Sequence, residues 1–132
     1  MGDGMRVLLD TCAFIWLTSR PDQLGCEAAV ALNDSHKERF LSLATVWEIV
    51  LKYHLGKLPL PQKPEEWIEE QVCLQDITIL NLERGVIYRS GRLPMVHRDP
   101  FDRIIAADSL THRMTILSPD HPFREYGCKV IW

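Results

Sequence analysis

Apolar residues fall along this chain in two alternating rhythms. Val7-Leu8-Leu9 is a short apolar run closed by Asp10, too brief for a helix, and it predicts a buried strand with Asp10 at its C-terminal end. Ala13 to Leu17 stays apolar and predicts the start of a helix, and the alanine-rich stretch from Glu27 to Leu32 predicts another, ended by Asn33-Asp34-Ser35. Phe40-Leu41-Ser42-Leu43 reads as the next strand. Beyond it Val46, Ile49, Val50 and Tyr53 recur at i, i+3, i+4 and i+7, the spacing that gives a helix one apolar face, and Gly56 stops that helix. Leu58-Pro59-Leu60-Pro61 cannot hold regular structure, whereas Pro64 suits the first position of a helix whose Glu65 and Glu66 complement the N-terminal dipole.

The second half repeats the alternation. Ile77 to Leu80 predicts a strand, Glu83 to Ser90 a short helix, Phe101 to Thr111 a longer one, Thr115-Ile116-Leu117 a strand, and Cys128 to Ile131 the last strand. Strands alternating with helices imply βαβ units, hence a mainly parallel sheet covered on both faces, with right-handed crossovers.

A chain of 132 residues calls for one core, and a single domain over residues 1–132 is expected, with residues 1–4 ahead of Met5 read as a short extension or engineered remnant. With 46% hydrophobic and 25% charged residues the composition is that of a globular protein. The net charge of -3 argues against a broad basic surface that holds nucleic acid by counterion release, so any nucleic-acid contact has to be local. Cys12, Cys26, Cys73 and Cys128 form no zinc spacing and no disulfide framework, and buried free thiols are expected. No apolar run approaches the ~20 residues that cross a bilayer, and the expected location is the cytoplasm, without membrane association.

In an open parallel sheet, functional groups collect beyond the carboxyl ends of the strands. That rule selects Asp10 after the first strand, Glu48 on the first turn of the helix after the second, Asp102 on the first turn of the helix after Arg98-Asp99-Pro100, and Asp120 after the strand that ends near Ser118. Carboxylates without Cys or His select hard cations such as Mg²⁺ or Mn²⁺. Each acid also has a purely structural reading. Asp10 can cap the following helix. Thr45-Val46-Trp47-Glu48 has the capping-box pattern, with Glu48 reaching back to Thr45 and forward to Lys52. Asp99-Pro100-Phe101-Asp102 reads as N-cap, proline at N1 and acid at N3, and Asp120 as a turn residue between prolines. The acidic run Glu65, Glu66, Glu69 and Glu70 is expected to be a solvated helix face.

The pieces Leu8-Leu9-Asp10-Thr11, Ser42 to Ile49 with Lys52, Leu55-Gly56-Lys57-Leu58, His97 to Arg103 running into Ile104-Ile105-Ala106-Ala107, and Ile116 to Asp120 with Phe123 together resemble the PIN-domain family, in particular VapC-type toxins of toxin–antitoxin pairs. The resemblance implies a three-layer α/β/α fold with a mainly parallel sheet of about five strands. It also implies a metal-dependent endoribonuclease with Mg²⁺ or Mn²⁺ as cofactor, an RNA substrate, a cognate small antitoxin and a homodimer. Asp10, Glu48 and Asp102 match the three principal catalytic and metal-binding acids and Asp120 a fourth; Asp99, Thr11 and Ser118 match supporting positions. Where similar members carry a glutamine–alanine pair, this chain has Asp108-Ser109. Arg98 and Arg103, with Arg89 and Arg92 before them, are candidates to receive RNA phosphates, and Arg103 has the alternatives of pairing with an acid or facing solvent. The five histidines lack H-E-x-x-H spacing and are read as surface or supporting residues.

Two rival functions use the same residues. An aspartate-dependent phosphatase needs a second acid two residues after the first, where this chain has Cys12. A catalytically inactive PIN-like interaction module shares every feature of the nuclease and is separated from it only by an assay of metal-dependent RNA cleavage.

Overall fold

The computed structural model describes residues 6–96 and 98–132; the leading segment and His97 lie outside them. β1 (Arg6–Leu9) leads into α1 (Thr11–Ser19), a single 3₁₀ turn at Pro21–Gln23, and α2 (Cys26–Asn33). β2 (Glu38–Ser42), α3 (Leu43–His54), α4 (Pro64–Leu74) and β3 (Ile77–Leu80) follow, then α5 (Arg84–Arg92), α6 (Pro100–His112), β4 (Thr115–Leu117), α7 (Pro122–Glu125) and β5 (Val130–Ile131).

The five strands form one sheet in the order β3-β2-β1-β4-β5, and every neighbouring pair is parallel. The expected α/β architecture with helices on both faces is therefore present. Val7, Leu9, Leu41, Ile77 and Leu117 point to one face, where α1, α2, α3 and α4 supply Phe14, Leu32, Ile49 and Trp67. Leu8, Ile116 and Val130 point to the other, covered by α5, α6 and α7 through Val86, Ile105 and Phe123. This alternation is the period-two consequence of the pleat. Chain order runs outward from β1 in one direction and from β4 in the other, so the crevice beyond β1 and β4 is the topological switch point.

Several boundaries differ from the sequence expectation. Ser42 ends β2 and itself caps α3, its Oγ accepting from the Ala44 N–H at 3.1 Å, so α3 begins three residues before Val46. The capping box at Thr45 does not form: Thr45 is inside the first turn and Glu48 lies on the second. The helix α7, begun by Pro122, was not anticipated, because four residues carry too little periodicity to register. Of the four cysteines only Cys128 is buried; Cys26 and Cys73 are exposed and Cys12 is half-buried, all as free thiols. The four glutamates of α4 are exposed, as a solvated face requires. Gly25 has no room for a side chain, since an added Cβ would lie 2.1 Å from the Trp132 carbonyl oxygen that accepts from Ala28 N–H. Among the described residues no helix is long and apolar enough to cross a membrane.

Candidate active site

Asp10 stands at the step from β1 into α1, and each of its carboxylate oxygens accepts one hydrogen bond. One oxygen accepts from the Ala13 N–H at 2.7 Å, capping α1, and the other accepts from Ser118 Oγ at 2.5 Å. The same Ser118 oxygen accepts from the Asp120 N–H at 2.9 Å, so one hydroxyl ties the end of β1 to the turn after β4. The structural and chemical readings of Asp10 are therefore both available at once, since a cap can also face a cavity.

Glu48 is held from the opposite side. The Thr11 hydroxyl donates to Glu48 Oε1 at 2.6 Å, which commits its only proton; the 3.0 Å contact between Thr11 and Thr45 must then be made by the Thr45 hydroxyl donating. Lys52, one turn on, ion-pairs with Glu48 Oε2. Glu48 is only 4% exposed, and its two carboxylate oxygens meet Thr11 and Lys52, with Thr45 behind Thr11.

Asp99 and Asp102 arrive on the start of α6. Asp99 is the N-cap, accepting from the Phe101 N–H at 2.9 Å and, more weakly, from the Asp102 N–H at 3.4 Å; Pro100 takes N1 and Asp102 N3, as expected. Asp102 is half-buried and Asp120 exposed.

These segments close around one cavity of about 380 Å³ lined by Asp10, Glu48, Asp99, Asp102 and Asp120. Thr11, Cys12, Ile15 and Lys52 complete its wall. The four acids selected from the sequence, together with Asp99, are thus brought to one place; Ser118 supports that place from beneath. Burial pushes the Asp10 carboxyl up to about 7, with Asp120 and Asp102 adding to the rise and the bonds from Ser118 and Ala13 opposing it. The Cys12 thiol is pushed to about 12, chiefly by burial and then by Asp10, Asp120 and Glu48. Lys52 is held above its ordinary value, first by its bond to Glu48, with Asp99 and Asp102 contributing. The coulombic part of these shifts is secondary to burial at Asp10 and Cys12 and to the Glu48 bond at Lys52, and its direction is that of a negative potential from the surrounding carboxylates.

That potential and the all-oxygen donor set fit a hard divalent cation. Among the described residues no three side chains are already drawn together in a closed metal-binding group. The positive charge in the ring is instead Lys52, whose carboxylate partner is Glu48.

Thr11 and Ser118, expected as supporting positions, orient the two carboxylates. Arg98 is exposed beside Asp99. Arg103 does not face solvent or lie open to phosphates: it is 9% exposed, and its guanidinium donates to the carbonyls of Ser90, Leu93 and Pro94 at 2.6, 2.9 and 2.9 Å. It closes the C-terminal end of α5, whose last carbonyls lack helical partners. Thr45 and Cys12 were missed as members of the site. The signal for Thr45 was its i, i+3 relation to Glu48, which was read as a cap; Cys12 gave no signal beyond its position two residues after Asp10.

A family model for the PIN domain matches residues 7–128. No curated protein matches the chain. Among solved structures, the chain is similar to VapBC2 from Rickettsia felis bound to a DNA fragment from its promoter, with 14% identity, a TM-score of 0.69, and coverage of 96% of this chain and 98% of that one. It is also similar to FitAcB from Neisseria gonorrhoeae, at 23% identity, a TM-score of 0.61 and 96% coverage of each chain. A third likeness is to a toxin–antitoxin complex from Klebsiella pneumoniae, at 23% identity, a TM-score of 0.59 and 86% coverage of each chain.

Proposed function

The chain belongs to the PIN domain family, and from that premise we propose that it is a metal-dependent endoribonuclease, the toxin of a toxin–antitoxin pair. The observation that carries this reading is the convergence of five carboxylates, from four separate segments, on one cavity at the sheet's switch point. An acid cluster of that kind costs stability through like-charge repulsion and burial, and nothing in the packing of either core needs it.

Asp10, Glu48, Asp102 and Asp120 would hold Mg²⁺ or Mn²⁺, which supplies a polarised phosphate oxygen, a more acidic water and a stabilised leaving oxygen. The chain's own contribution is positioning. Ser118 and the start of α1 aim Asp10; Thr11, backed by Thr45, aims Glu48; Asp99 fixes the helix turn that presents Asp102. Lys52 offsets part of the ring's negative charge through its ion pair with Glu48. Arg98, exposed and next in sequence to Asp99, would receive a phosphate of the RNA.

The test is incubation of the purified protein with an RNA mixture in Mg²⁺ or Mn²⁺ and in excess chelator. Cleavage confined to the metal samples, with 5′-phosphate and 3′-hydroxyl ends, is expected. Cleavage undiminished by chelator, or ends carrying 2′,3′-cyclic phosphate, defeats the mechanism, and no cleavage of any RNA leaves the interaction module as the better reading.

The antitoxin part of the proposal is supported by a second cavity of about 490 Å³, lined by Leu58, Leu60 and Trp67 among others, that shares Ile15 with the acid cavity. A partner segment seated there reaches the acids with a basic side chain. Producing the chain alone in its host should slow growth, and co-producing the neighbouring small protein should restore it; harmless solo production of an active nuclease removes the toxin role alone. Leu43, Trp47 and Leu51 on α3 and Leu55 at its C-cap, spaced by four and 37 to 58% exposed, support the homodimer of the same reading, checked by sedimentation.

A further inference from the structure

The charges of this acidic chain are not evenly spread. Residues 84–98 contain Arg84, Arg89, Arg92 and Arg98 and no aspartate or glutamate, although the whole chain has 18 acids to 15 bases. Three of these arginines are on α5, which packs along α6 in the opposite direction: Glu83, just before α5, meets His112 at the end of α6, while Arg103 near the start of α6 grips the carbonyls at the end of α5. Between the two helices runs an open groove of about 480 Å³ lined by Gly85, Arg89, Arg92, Leu93, Leu110 and Thr111. Its floor is apolar and one edge is cationic.

Gly85, the second residue of α5, leaves the groove open there, since a Cβ added to it meets nothing within 4 Å. Arg89 is held at the groove by one nitrogen, donating to Thr111 Oγ1 at 3.2 Å, which aims the rest of its guanidinium. Arg92 is exposed at the end of α5 that Arg103 anchors. Arg103, which anchors this end of α5, follows Asp102 directly on α6.

We propose that the α5–α6 groove binds a nucleotide of single-stranded RNA flanking the cleaved bond, with Arg89 and Arg92 on its phosphate and Leu93 and Leu110 against its sugar or base. Exposed Tyr88, on the outer side of α5, offers the adjoining base a stacking surface. The groove is a binding surface separate from the acid cavity, and its assignment to RNA rests on the nuclease reading. It gives an acidic protein a local place to hold a polyanion, because four arginines fall within residues 84–98, a stretch without an acid.

The test is fluorescence anisotropy with a labelled single-stranded RNA of mixed sequence, in chelator so that nothing is cut, from low to moderate salt. Arg92→Ala should weaken binding at least about threefold and reduce the slope of log affinity against log salt by about 0.7, the value of one single-strand phosphate. Gly85→Leu fills the groove while raising helix propensity, so it should fold, weaken binding by a similar factor and leave the salt slope unchanged. Cleavage of a long RNA by the wild type in Mn²⁺ is measured alongside. Variants that bind RNA like the wild type while the wild type cleaves overturn the groove and leave the nuclease intact. Variants that bind RNA normally but lose affinity for polyglutamate show that the groove is for an acidic protein, which also overturns it. Groove-dependent binding without cleavage by the wild type sustains the groove and removes the nuclease reading.

Discussion

Asp10 and Asp108 are both aspartates buried to within 2% of full enclosure, and burial raises both carboxyls, to about 7 and about 6. Their surroundings differ. Asp10 lines a cavity with four other acids, and both its oxygens accept hydrogen bonds. Asp108, on the middle of α6, lines none of the cavities described here. Its Oδ1 has no hydrogen-bond partner, and His112 Nε2 lies 3.9 Å away. Ser42 and His112 pull its carboxyl back down, and Glu83 pushes it up. A raised carboxyl by itself therefore marks only burial. What distinguishes Asp10 is that its neighbours orient it toward a space other acids share.

The comparison breaks most visibly in activity. Asp10→Asn should lose at least about a thousandfold in metal-supported RNA cleavage, roughly 4 kcal/mol of barrier, whereas Asp108→Asn should stay within about twofold of wild type. Equal losses in initial-rate assays would mean that the two buried acids do the same work and that the cavity is incidental.

Glu48→Gln sharpens the comparison within the cavity. Its amide oxygen still accepts from Thr11, but the charge is gone, so cleavage should fall about a hundredfold, near 2.7 kcal/mol, while the thermal midpoint without metal stays near that of the wild type. Thr45→Ala, which removes only the hydroxyl behind Thr11, should cost about 1 kcal/mol of stability and, at about tenfold or less, far less cleavage. If Thr45→Ala abolishes cleavage, orientation of Glu48 matters more than its charge.

Stability against pH gives the most specific effect, because it separates the two carboxyls by the pH range over which each acts. Both folded carboxyls lie above their ordinary value of 3.8, so each contributes stability that is complete below about that pH and is lost as pH rises, through about 6 for Asp108 and about 7 for Asp10. In urea titrations without metal, Asp108→Asn should flatten the loss up to about pH 6 and Asp10→Asn the loss that extends to about pH 7. Unchanged profiles in both variants would show that neither proton is taken up on folding.

Asp10, Asp102 and Asp120 were legible in the sequence because each follows a strand or opens a helix, where a local pattern coincides with a rule about strand ends. The parallel sheet was legible for the same reason, through Val7 to Leu9 and Thr115 to Leu117. What was hidden depends on phase. Glu48 was placed on a first turn because Thr45 resembled a cap, yet Ser42, three residues earlier, has the capping role. Arg103 sits between an acid and an apolar run, and only the packing of α6 on α5 reveals that its guanidinium turns inward to Ser90, Leu93 and Pro94. Asp108 had no assigned role, since burial of one face of α6 is a property of the assembled core.

The central claim is that Asp10 belongs to a cation site and Asp108 does not, and titration calorimetry of Mn²⁺ into the wild type, Asp10→Asn and Asp108→Asn measures it without reference to any RNA. Near-neutral pH suits it, because metal and proton compete for Asp10 and binding should tighten as pH rises through about 7. The wild type and Asp108→Asn should bind with similar affinity and Asp10→Asn at least about tenfold more weakly, a difference of roughly 1.4 kcal/mol. Equal binding by all three proteins, or an equal loss in both variants, would contradict the account.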